Sequence, residues 1–436
     1  MEFVRLTIDN VAVWRSRALA WAVAQPTEFV ALLNNNHIQY PNDPFPNRLF
    51  VGAKRVISCK DASQTAPDIF QQLYDAQQER PSYWIGYVGY DLKNQLEQLT
   101  SRNPRRLTFP DAYLIEPAWI IDFLEEEISI QGEGAQDVLH AIKIVDTTSL
   151  TPEGQPLEKP LIQCRVSPET YQDNVRRIQE HIVAGDVYEL NYCIEFFAEQ
   201  CRLDPLNTYQ ALCRRSPMPF STFLKLGDQY VMGASPERFL KKEGRRILSQ
   251  PIKGTIRRGH TPDEDISLKS QLLNSEKERA ENLMIVDLVR NDLARSAETG
   301  SVQVDELFGI YTFQYVHQMI STVSARLRND VSWVDTLRNA FPMGSMTGAP
   351  KIRAMEIIDE LEVSRRGVYS GAIGYVTPDN DFDFNVVIRT LLYDARQQYA
   401  SFSVGSAITY DADPAQEWAE CLLKASAIRQ VLTGQS

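Results

Sequence analysis

Three strand-like runs near the C-terminal end constrain the fold of this chain most. They cover residues 370–377, 382–393 and 399–410, with polar turns at 378–381 and 394–397 between them. Short turns of this kind join neighbouring strands in antiparallel order. We therefore expect an antiparallel meander in which 382–393 forms one unbroken strand.

Composition excludes several classes of protein. The 436 residues carry a formal net charge of -12 without a dense block of lysine or arginine, so no nucleic-acid partner is expected. No apolar run reaches the length that spans a membrane, and the first residues lack the pattern of a signal peptide. The six cysteines form no CxxC pair. A cytoplasmic protein without a membrane segment is the expectation.

A turn-rich stretch at 146–162 is predicted to divide the chain. Residues 1–145 mix short strand and helix patterns and are expected to add strands to a common core. Residues 163–436 form the larger part, which opens with an amphipathic helix predicted over 167–184.

Lys253 is a candidate nucleophile. It follows the strand pattern at 246–248 and precedes Gly254, so we expect it at a strand end where the backbone turns. An amine held among apolar neighbours loses its proton more readily, because desolvation disfavours the ammonium form. A surface lysine on a turn is the alternative interpretation, since most lysines are exposed.

A helix predicted to begin after Ser275 presents carboxylates. The spacing of Ser275 and Glu278 is typical of a capping box, in which the Glu278 side chain returns to the Ser275 backbone. Glu281 lies three residues further on, so the two carboxylates share one face near the helix start. Capping alone would explain acidic residues at this position equally well.

The last helix presents a second pair of carboxylates. Asp413 is the expected N-cap, and Glu417, Glu420 and Lys424 fall within about 60° of arc. A solvated Glu–Lys pair is the usual meaning of this spacing. Two carboxylates together with substrate oxygens are, however, what Mg²⁺ normally takes from a protein.

Several segments together resemble those of the chorismate-binding enzymes, a family that includes anthranilate synthase large subunits, aminodeoxychorismate synthase component I, and isochorismate and salicylate synthases. The matching stretches are GDVYELNYC, SPERFL, PIKGT, ERAENLMIVDLVRND, VHQMISTVSARL, FPMGSMTGAPK, YSGAIGY, FNVVIRTL and DPAQEWAECLLKASA. The resemblance implies an α+β fold, in which large, mostly antiparallel sheets form a sandwich-like core with helices packed outside. It also implies that 163–436 is a chorismate-binding catalytic domain.

Two positions distinguish the members of this family. Anthranilate synthases have PIAGT where this chain has PIKGT, the form found in aminodeoxychorismate synthases. The resemblance implies that Lys253 attacks the second ring carbon of chorismate. Ammonia from a separate glutamine amidotransferase subunit then enters at the fourth carbon, giving 4-amino-4-deoxychorismate for 4-aminobenzoate and folate synthesis. Isochorismate and salicylate synthases carry a lysine where this chain has Glu189, which argues against their activities.

Two alternatives stay open at this stage. One is anthranilate synthase component I, within the same family. The other is a catalytically silent subunit that binds chorismate and docks a partner.

The resemblance also implies roles for individual side chains. Glu237 matches the general acid that protonates the leaving hydroxyl, with Thr255 and His317 beside the ring. The residues expected to bind the substrate are Tyr369, Arg389, Gly405, Thr347 and Lys424. The expected Mg²⁺ ligands are Glu281 and Glu420, with Glu278 and Glu417 as nearby or water-mediated partners.

Two positions depart from the family pattern. The family usually has glutamine where Glu189 stands, so an extra carboxylate is expected near the pocket, where pairing with Lys253 would oppose the action of that amine as a nucleophile. The family's GAGI becomes GSAI at 405–408, which would strain Ala407 if that position needs a positive φ.

Overall fold

The computed structural model describes residues 2–146 and 159–434. Most of the predicted linker therefore lies outside the described residues. The strands are β1 (Phe3–Thr7), β2 (Phe29–Asn34), β3 (Arg48–Cys59), β4 (Trp84–Val88), β5 (Ala112–Phe123), β6 (Glu127–Gln131), β7 (Gln163–Cys164), β8 (Glu189–Ala198), β9 (Phe220–Leu226), β10 (Gln229–Ser235), β11 (Arg238–Glu243), β12 (Arg246–Gln250), β13 (Ile252–Arg257), β14 (Gln303–Thr312), β15 (Val316–Arg326), β16 (Gly348–Ala349), β17 (Ala372–Val376), β18 (Phe382–Val386), β19 (Thr390–Asp394) and β20 (Tyr399–Ile408).

The helices are α1 (Val11–Ala24), α2 (Ile69–Glu79), α3 (Lys93–Leu96), α4 (Ala135–Lys143), α5 (Pro168–Val183), α6 (Pro205–Arg215), α7 (Pro262–Asn274), α8 (Glu276–Ala294), α9 (Trp333–Ala340), α10 (Lys351–Leu361) and α11 (Pro414–Thr433), with short 3₁₀ turns at Tyr90–Leu92 and Gly344–Met346. None of the helices in the described ranges combines the length and the apolar character needed to cross a membrane.

Neighbouring strands form one continuous antiparallel ladder. From β14 it runs through β15, the consecutive pair β12 and β13, then β11, β18, β17 and β4 to β5. From β5 it continues through β3, β2, β9, β10, β19 and β20 to β8. The pairings β4–β17 and β2–β9 join strands from before and after the undescribed segment, so the first part of the chain adds strands to the common core.

The ladder folds back on itself as a sandwich. In β2, Phe29, Ala31 and Leu33 enter an apolar core shared with β4, β9 and β17. The alternate residues Val30 and Leu32 enter a second core beneath α1, α5, α6 and α11. A third core lies on the other outer face, beneath α2, α8 and α9. Since successive side chains of a strand point to opposite faces, each sheet is covered on both sides, and the predicted α+β sandwich is confirmed.

Two predicted helix starts are confirmed. Ser167 caps α5 by accepting from the Thr170 N–H at 3.2 Å. Asp413 caps α11 by accepting from the N–H groups of Ala415 and Gln416. In both cases proline occupies the first helical turn, where its missing N–H costs nothing.

The strand predicted over 382–393 is instead two strands. β18 ends at Val386 and β19 begins at Thr390, and between them Arg389 adopts a φ of 49°. β18 pairs with β17 and β11, whereas β19 pairs with β10 and β20. The break carries the chain from one side of the sandwich to the other. Apolar residues continue on both sides of it, so the sequence pattern concealed it.

Candidate functional site

Lys253 lies inside a strand rather than at a strand end. β12 ends at Gln250 and β13 begins at Ile252, and both strands pair with β15. The register shifts between Ile252 and Thr255, where Gly254 adopts a φ of 90°. The predicted turn is therefore a bulge within the sheet, and Lys253 is half-buried rather than buried.

The charge of Lys253 acts on four carboxylates from four parts of the fold. Burial acts to raise the pKa of Glu189, Glu237, Glu278 and Glu420, and the ammonium of Lys253 acts to lower each of these pKa values. They belong to β8, the β10–β11 connection, α8 and α11. The predicted general acid and both acidic helices therefore lie close enough to Lys253 for its charge to act on their carboxylates.

Glu237 has the environment of a general acid. It is 5% exposed, and burial raises its pKa to about 7, although a hydrogen bond with Ser345 and the charge of Lys253 act in the opposite direction. A carboxyl with this pKa is about half protonated near neutrality and can therefore donate a proton there. The neighbouring Arg238 pairs with Asp383 at 2.9 Å and not with Glu237.

The glutamates of α8 and α11 meet around one lysine. Lys277 Nζ lies 3.5 Å from Glu417 Oε1 and 3.8 Å from Glu281 Oε1. The charges of Glu417, Glu281, Glu420 and Glu278 together raise the pKa of Lys277, against burial, which would lower it. Sequence reasoning did not select Lys277, although its i,i+4 spacing to Glu281 was a signal.

The same glutamates have the electrostatics of a cation site. Burial, then the charges of Glu281 and Glu420, raise the pKa of Glu278, and burial with the charge of Glu420 raises that of Glu417. Within the described ranges, no three acidic, histidine or cysteine side chains are arranged closely enough to hold a metal by themselves. Mg²⁺ commonly takes one or two carboxylates and completes its shell with water and substrate. The partly buried negative charge of these glutamates therefore fits a divalent cation in an open site.

Glu278 does not complete the predicted capping box. Ser275 accepts from the Glu278 N–H at 3.3 Å, as expected for the N-cap. The Ser275 N–H, however, donates to the carbonyl of Leu272 in the preceding helix. The Glu278 carboxylate lies instead against β13, since a Cβ placed on Gly254 would stand 3.0 Å from its Oε2. This carboxylate is therefore turned toward the strand that carries Lys253.

Three of the predicted substrate-binding residues are connected. Lys424 Nζ lies 2.7 Å from Glu420 and donates to the carbonyl of Gly405 at 2.9 Å. Gly405 lies opposite Cys193 in the β20–β8 register, and the Cys193 thiol lies 3.6 Å from the Tyr369 hydroxyl. The structure thus brings Tyr369, Gly405 and Lys424 to one side of the acidic cluster.

Gly405 is required by close packing, whereas Ala407 is unstrained. A Cβ at Gly405 would lie 2.6 Å from the Cys193 sulfur, so only glycine fits there. Ala407 lies in the extended backbone of β20, opposite Asn191. The strain considered for Ala407 is therefore absent.

Arg389 occupies the break between β18 and β19 rather than a strand. Its φ of 49° is rare for a residue with a side chain, which is often a mark of functional positioning. Burial lowers the pKa of the Arg389 guanidinium to about 10, although the charge of Glu237 acts against this shift. Its described contact is the sulfur of Met218 at 3.8 Å, and no carboxylate among the described residues lies within ion-pair distance. The guanidinium can therefore take up an anion from outside.

Thr347 holds the 3₁₀ segment against β8. It is fully buried, its hydroxyl donates to the carbonyl of Met343 at 3.2 Å, and its own carbonyl accepts from the Asn191 N–H at 2.8 Å. The hydroxyl is thus used within the loop. Ser345, two residues earlier, supplies the side chain that bonds Glu237.

His317 does not join the other predicted residues. Its two ring nitrogens lie 2.9 Å from Thr312 Oγ1 and 2.9 Å from Asp265 Oδ1. In the register of β13 and β15, Gln318 rather than His317 is opposite Thr255, so Gln318 shares the face of Thr255. Gln318 is 1% exposed, and its Oε1 has no hydrogen-bond partner among the described residues. The sequence motif alone could not show which of the adjacent residues, His317 or Gln318, lies on the same face as Thr255.

A buried ion pair, which the sequence analysis did not predict, holds together the side of the site near Tyr369. Arg366 Nη2 lies 2.7 Å from Glu362 Oε1 and 2.8 Å from the carbonyl of Asn191, and Nη1 donates to the carbonyl of Met346 at 2.6 Å. It therefore ties the 3₁₀ segment to β8 at the side of Tyr369. The i,i+4 spacing of Glu362 and Arg366 was the available signal.

Comparisons with known proteins agree with this geometry. The sequence profile of the family described as chorismate binding enzyme matches residues 33–430. The chain is 41% identical to "Aminodeoxychorismate synthase" of Streptomyces griseus, with 80% of this chain and 50% of that protein covered. It therefore spans about half the length of that relative. It is 33% identical to "Aminodeoxychorismate synthase component 1" of Escherichia coli (strain K12), with 96% and 97% covered.

A solved structure has the same fold. Anthranilate synthase component I from Streptococcus pneumoniae TIGR4 superposes with a TM-score of 0.76 at 27% sequence identity, and the alignment covers 93% of each chain. The fold, the acidic helices near Lys253 and the profile match over residues 33–430 all indicate the same family. The chain belongs to the chorismate binding enzyme family.

Proposed function

We propose that this protein is an aminodeoxychorismate synthase component I, which converts chorismate and ammonia to 4-amino-4-deoxychorismate. The observation that carries the proposal is the position of Lys253 among Glu189, Glu237, Glu278 and Glu420. An amine at this position can attack the ring of a bound substrate, and anthranilate synthases have alanine there. The names of the two relatives above support the same reaction.

The proposed roles follow from the local chemistry. Lys253 is the nucleophile toward the second ring carbon, and Glu237 is the acid that protonates the hydroxyl leaving the fourth carbon. Arg389 and the Tyr369–Gly405 wall bind the substrate carboxylates, since a guanidinium without an anion partner suits this task. Ammonia then displaces the enzyme's amine by entering at the fourth carbon.

Mg²⁺ is proposed as the cofactor. Glu281 and Glu420 would hold it, with Glu278 and Glu417 nearby, and it would supply positive charge toward a substrate carboxylate. The mutual repulsion of these carboxylates supports the proposal.

A separate glutamine amidotransferase subunit is proposed as the ammonia source. The Escherichia coli relative is named component 1 and matches this chain over 97% of its length, which supports a second component. Mixing the protein with a glutaminase subunit should allow glutamine to replace ammonium in the reaction.

The reaction is tested with purified protein, chorismate, Mg²⁺ and ammonium, with and without an added aminodeoxychorismate lyase. We expect 4-aminobenzoate only when the lyase is present. Anthranilate formed without the lyase would instead assign the protein to anthranilate synthase. Chorismate binding without either product would indicate a silent binding subunit.

The nucleophile is tested by Lys253→Ala, with Lys269→Ala as the control because Lys269 is exposed on the neighbouring α7. The Lys253 variant should keep its melting temperature and lose turnover at low ammonia. Unchanged turnover would remove the covalent step from the proposal while leaving the substrate assignment in place.

A further inference from the structure

Strand β8 is buried along its whole length, yet one of its two faces is polar. The residues that enter the apolar core beneath α5 and α11 are Leu190, Tyr192, Ile194 and Phe196. The alternate residues, which point to the opposite face, are Glu189, Asn191, Cys193 and Glu195. A polar face within a buried strand is costly unless other polar groups or small bound molecules satisfy it.

The neighbouring strand β20 presents only small side chains beside this polar face. Its residues on that side are Ser401, Ser403, Gly405 and Ala407, which lie opposite Phe197, Glu195, Cys193 and Asn191 in the β20–β8 register. The small side chains leave a furrow along the two strands, which we call the polar furrow. From Glu189 to Glu195 it is about 20 Å long, at about 3.3 Å per residue.

The inner end of the polar furrow is the proposed substrate site. The Cys193 thiol lies 3.6 Å from the Tyr369 hydroxyl, and the carbonyl of Gly405 accepts from Lys424 at 2.9 Å. At the end of the furrow, Glu189 is 2% exposed and its Oε2 has no hydrogen-bond partner among the described residues. This end therefore offers a buried acceptor to a small molecule that can donate a hydrogen bond.

The outer end of the polar furrow opens into a cavity that reaches the surface. The cavity has a volume of about 560 Å³, including its opening to solvent. Its lining includes Glu195, Ser401 and Ser403 from the furrow, Tyr369 from the substrate wall, and Arg105, Arg106, Ser364, Arg365 and Arg366 toward the surface. A smaller cavity shares Glu195, Ser364 and Ser403 with the first and extends to Cys193. Together the two cavities lead from exposed Arg106 to the back of the substrate wall.

The lining of the larger cavity suits a small neutral molecule. It includes four arginines, whereas its carboxylates are Asp111 and Glu195, so a cation such as ammonium is disfavoured. Hydroxyl groups remain as polar partners, and Ser401 donates to Glu195 at 2.7 Å. Ammonia has nearly the size and hydrogen-bonding capacity of water, which occupies polar cavities of modest volume. In the proposed reaction ammonia acts after chorismate is bound, so it needs access that the substrate does not obstruct.

We propose that the polar furrow is the path by which ammonia reaches the chorismate ring. The inference rests on the proposed function and deepens it. At the inner end, the nitrogen of ammonia bonds to the fourth ring carbon, and the bond between the second ring carbon and Lys253 breaks. One proton passes from the incoming nitrogen to the departing amine, so atoms and charge balance.

The test is to obstruct the furrow with Ser403→Phe in the full chain, assayed with chorismate, Mg²⁺, ammonium and the lyase. We expect kcat/KM for ammonia to fall by about tenfold or more. The dissociation constant for chorismate, measured by calorimetry, should change by less than about threefold, because the carboxylate-binding groups remain. Ser403→Ala is the matched control, since it removes the hydroxyl without adding bulk, and it should keep the wild-type kcat/KM.

A second variant obstructs the path at its half-buried mouth. Ser364 lies in the connection between α10 and β17 and donates to Glu195. Ser364→Phe should lower kcat/KM for ammonia, whereas Ser364→Ala should not. Wild-type values in a folded Ser364→Phe or Ser403→Phe would overturn the proposal. Weaker chorismate binding with an unchanged kcat/KM for ammonia would also overturn it, since the furrow would then admit the substrate.

Mass spectrometry separates this inference from the proposed function. Because the Lys253 adduct forms before ammonia is needed, it should accumulate in Ser403→Phe to a higher level than in the wild type. If the wild-type protein yields no 4-aminobenzoate with the lyase, the proposed function fails and this inference falls with it. If it yields 4-aminobenzoate and the adduct does not accumulate in Ser403→Phe, only the ammonia path is refuted.

Discussion

The ammonium of Lys424 lies 2.7 Å from the carboxylate of Glu420, one helical turn earlier in α11. The same ammonium donates to the carbonyl of Gly405 in β20. One side chain therefore joins the acidic cluster to the strand proposed to bind the substrate carboxylates. Burial acts to lower the pKa of Lys424, but the charge of Glu420 acts against burial and the pKa is raised. The Lys424 side chain therefore stays protonated.

Replacing Lys424 with methionine should weaken chorismate binding. The change removes a cation at the junction of the two proposed subsites, and we expect the dissociation constant to rise by about tenfold or more. Isothermal titration calorimetry measures it directly. Lys143→Met, on the exposed side of α4, is the control. Equal dissociation constants for chorismate in Lys424→Met and Lys143→Met would show that the substrate does not bind beside Lys424.

Replacing Glu237 with glutamine should abolish turnover and stabilise the protein at alkaline pH. Burial raises the folded-state pKa of Glu237 from 4.5 to about 7. The wild-type protein keeps the stability of the protonated form below about pH 4.5 and loses it as pH rises through about 7. At pH 8 the variant should therefore unfold with a free energy up to about 3 kcal/mol higher than the wild type. At pH 4 the two should match in urea denaturation, and a difference of equal size at both pH values would contradict this account.

Arg366→Met should be strongly destabilising. The guanidinium is 6% exposed and holds Glu362 and two backbone carbonyls, so its removal leaves a buried charge without its partner. The free energy of unfolding should fall by about 3–5 kcal/mol. Arg177→Met breaks a half-exposed pair with Glu360 and should cost no more than about 1 kcal/mol in the same urea experiment. Similar decreases in the free energy of unfolding of both variants would show that the buried pair stabilises the protein no more than the exposed pair does.

Lys277→Gln should strengthen divalent metal binding. In the absence of a metal, Lys277 offsets the charges of Glu281 and Glu417, and a cation must compete with it. Calorimetry with Mg²⁺ should give a lower dissociation constant for the variant than for the wild type, and thermal denaturation without metal should give a lower midpoint. Lys269→Gln, on α7, should change neither quantity. Weaker Mg²⁺ binding by Lys277→Gln than by the wild type would show that the Lys277 ammonium does not compete with the metal for Glu281 and Glu417.

Local patterns were sufficient for much of the architecture. The helix starts at Ser167 and Asp413 follow from residues within one turn, because capping is a local interaction. The glycine beside Lys253 correctly marked a distorted backbone, with φ of 90° at Gly254. The spacing of the glutamates in α8 and α11 identified both acidic helices, since side chains three or four apart share a helical face.

Local sequence patterns did not predict the contacts between segments that are distant in the chain. Nothing local to Glu278 shows that its carboxylate turns from the helix start toward β13, and nothing local to Arg238 shows that it pairs with Asp383 rather than with Glu237. The break at Arg389 was hidden because strands on both sides of it are apolar.

The sequence by itself determined which elements form and which side chains carry charge, because hydrogen bonding within a turn or a helix depends on near neighbours. Only the tertiary structure decided which of those charges lie close together and how deeply each is buried. Burial and long-range pairing set the pKa of Glu237, the unpartnered oxygen of Glu189 and the position of Lys253 between two acidic helices. These properties arise where strands and helices far apart in the chain exclude water together.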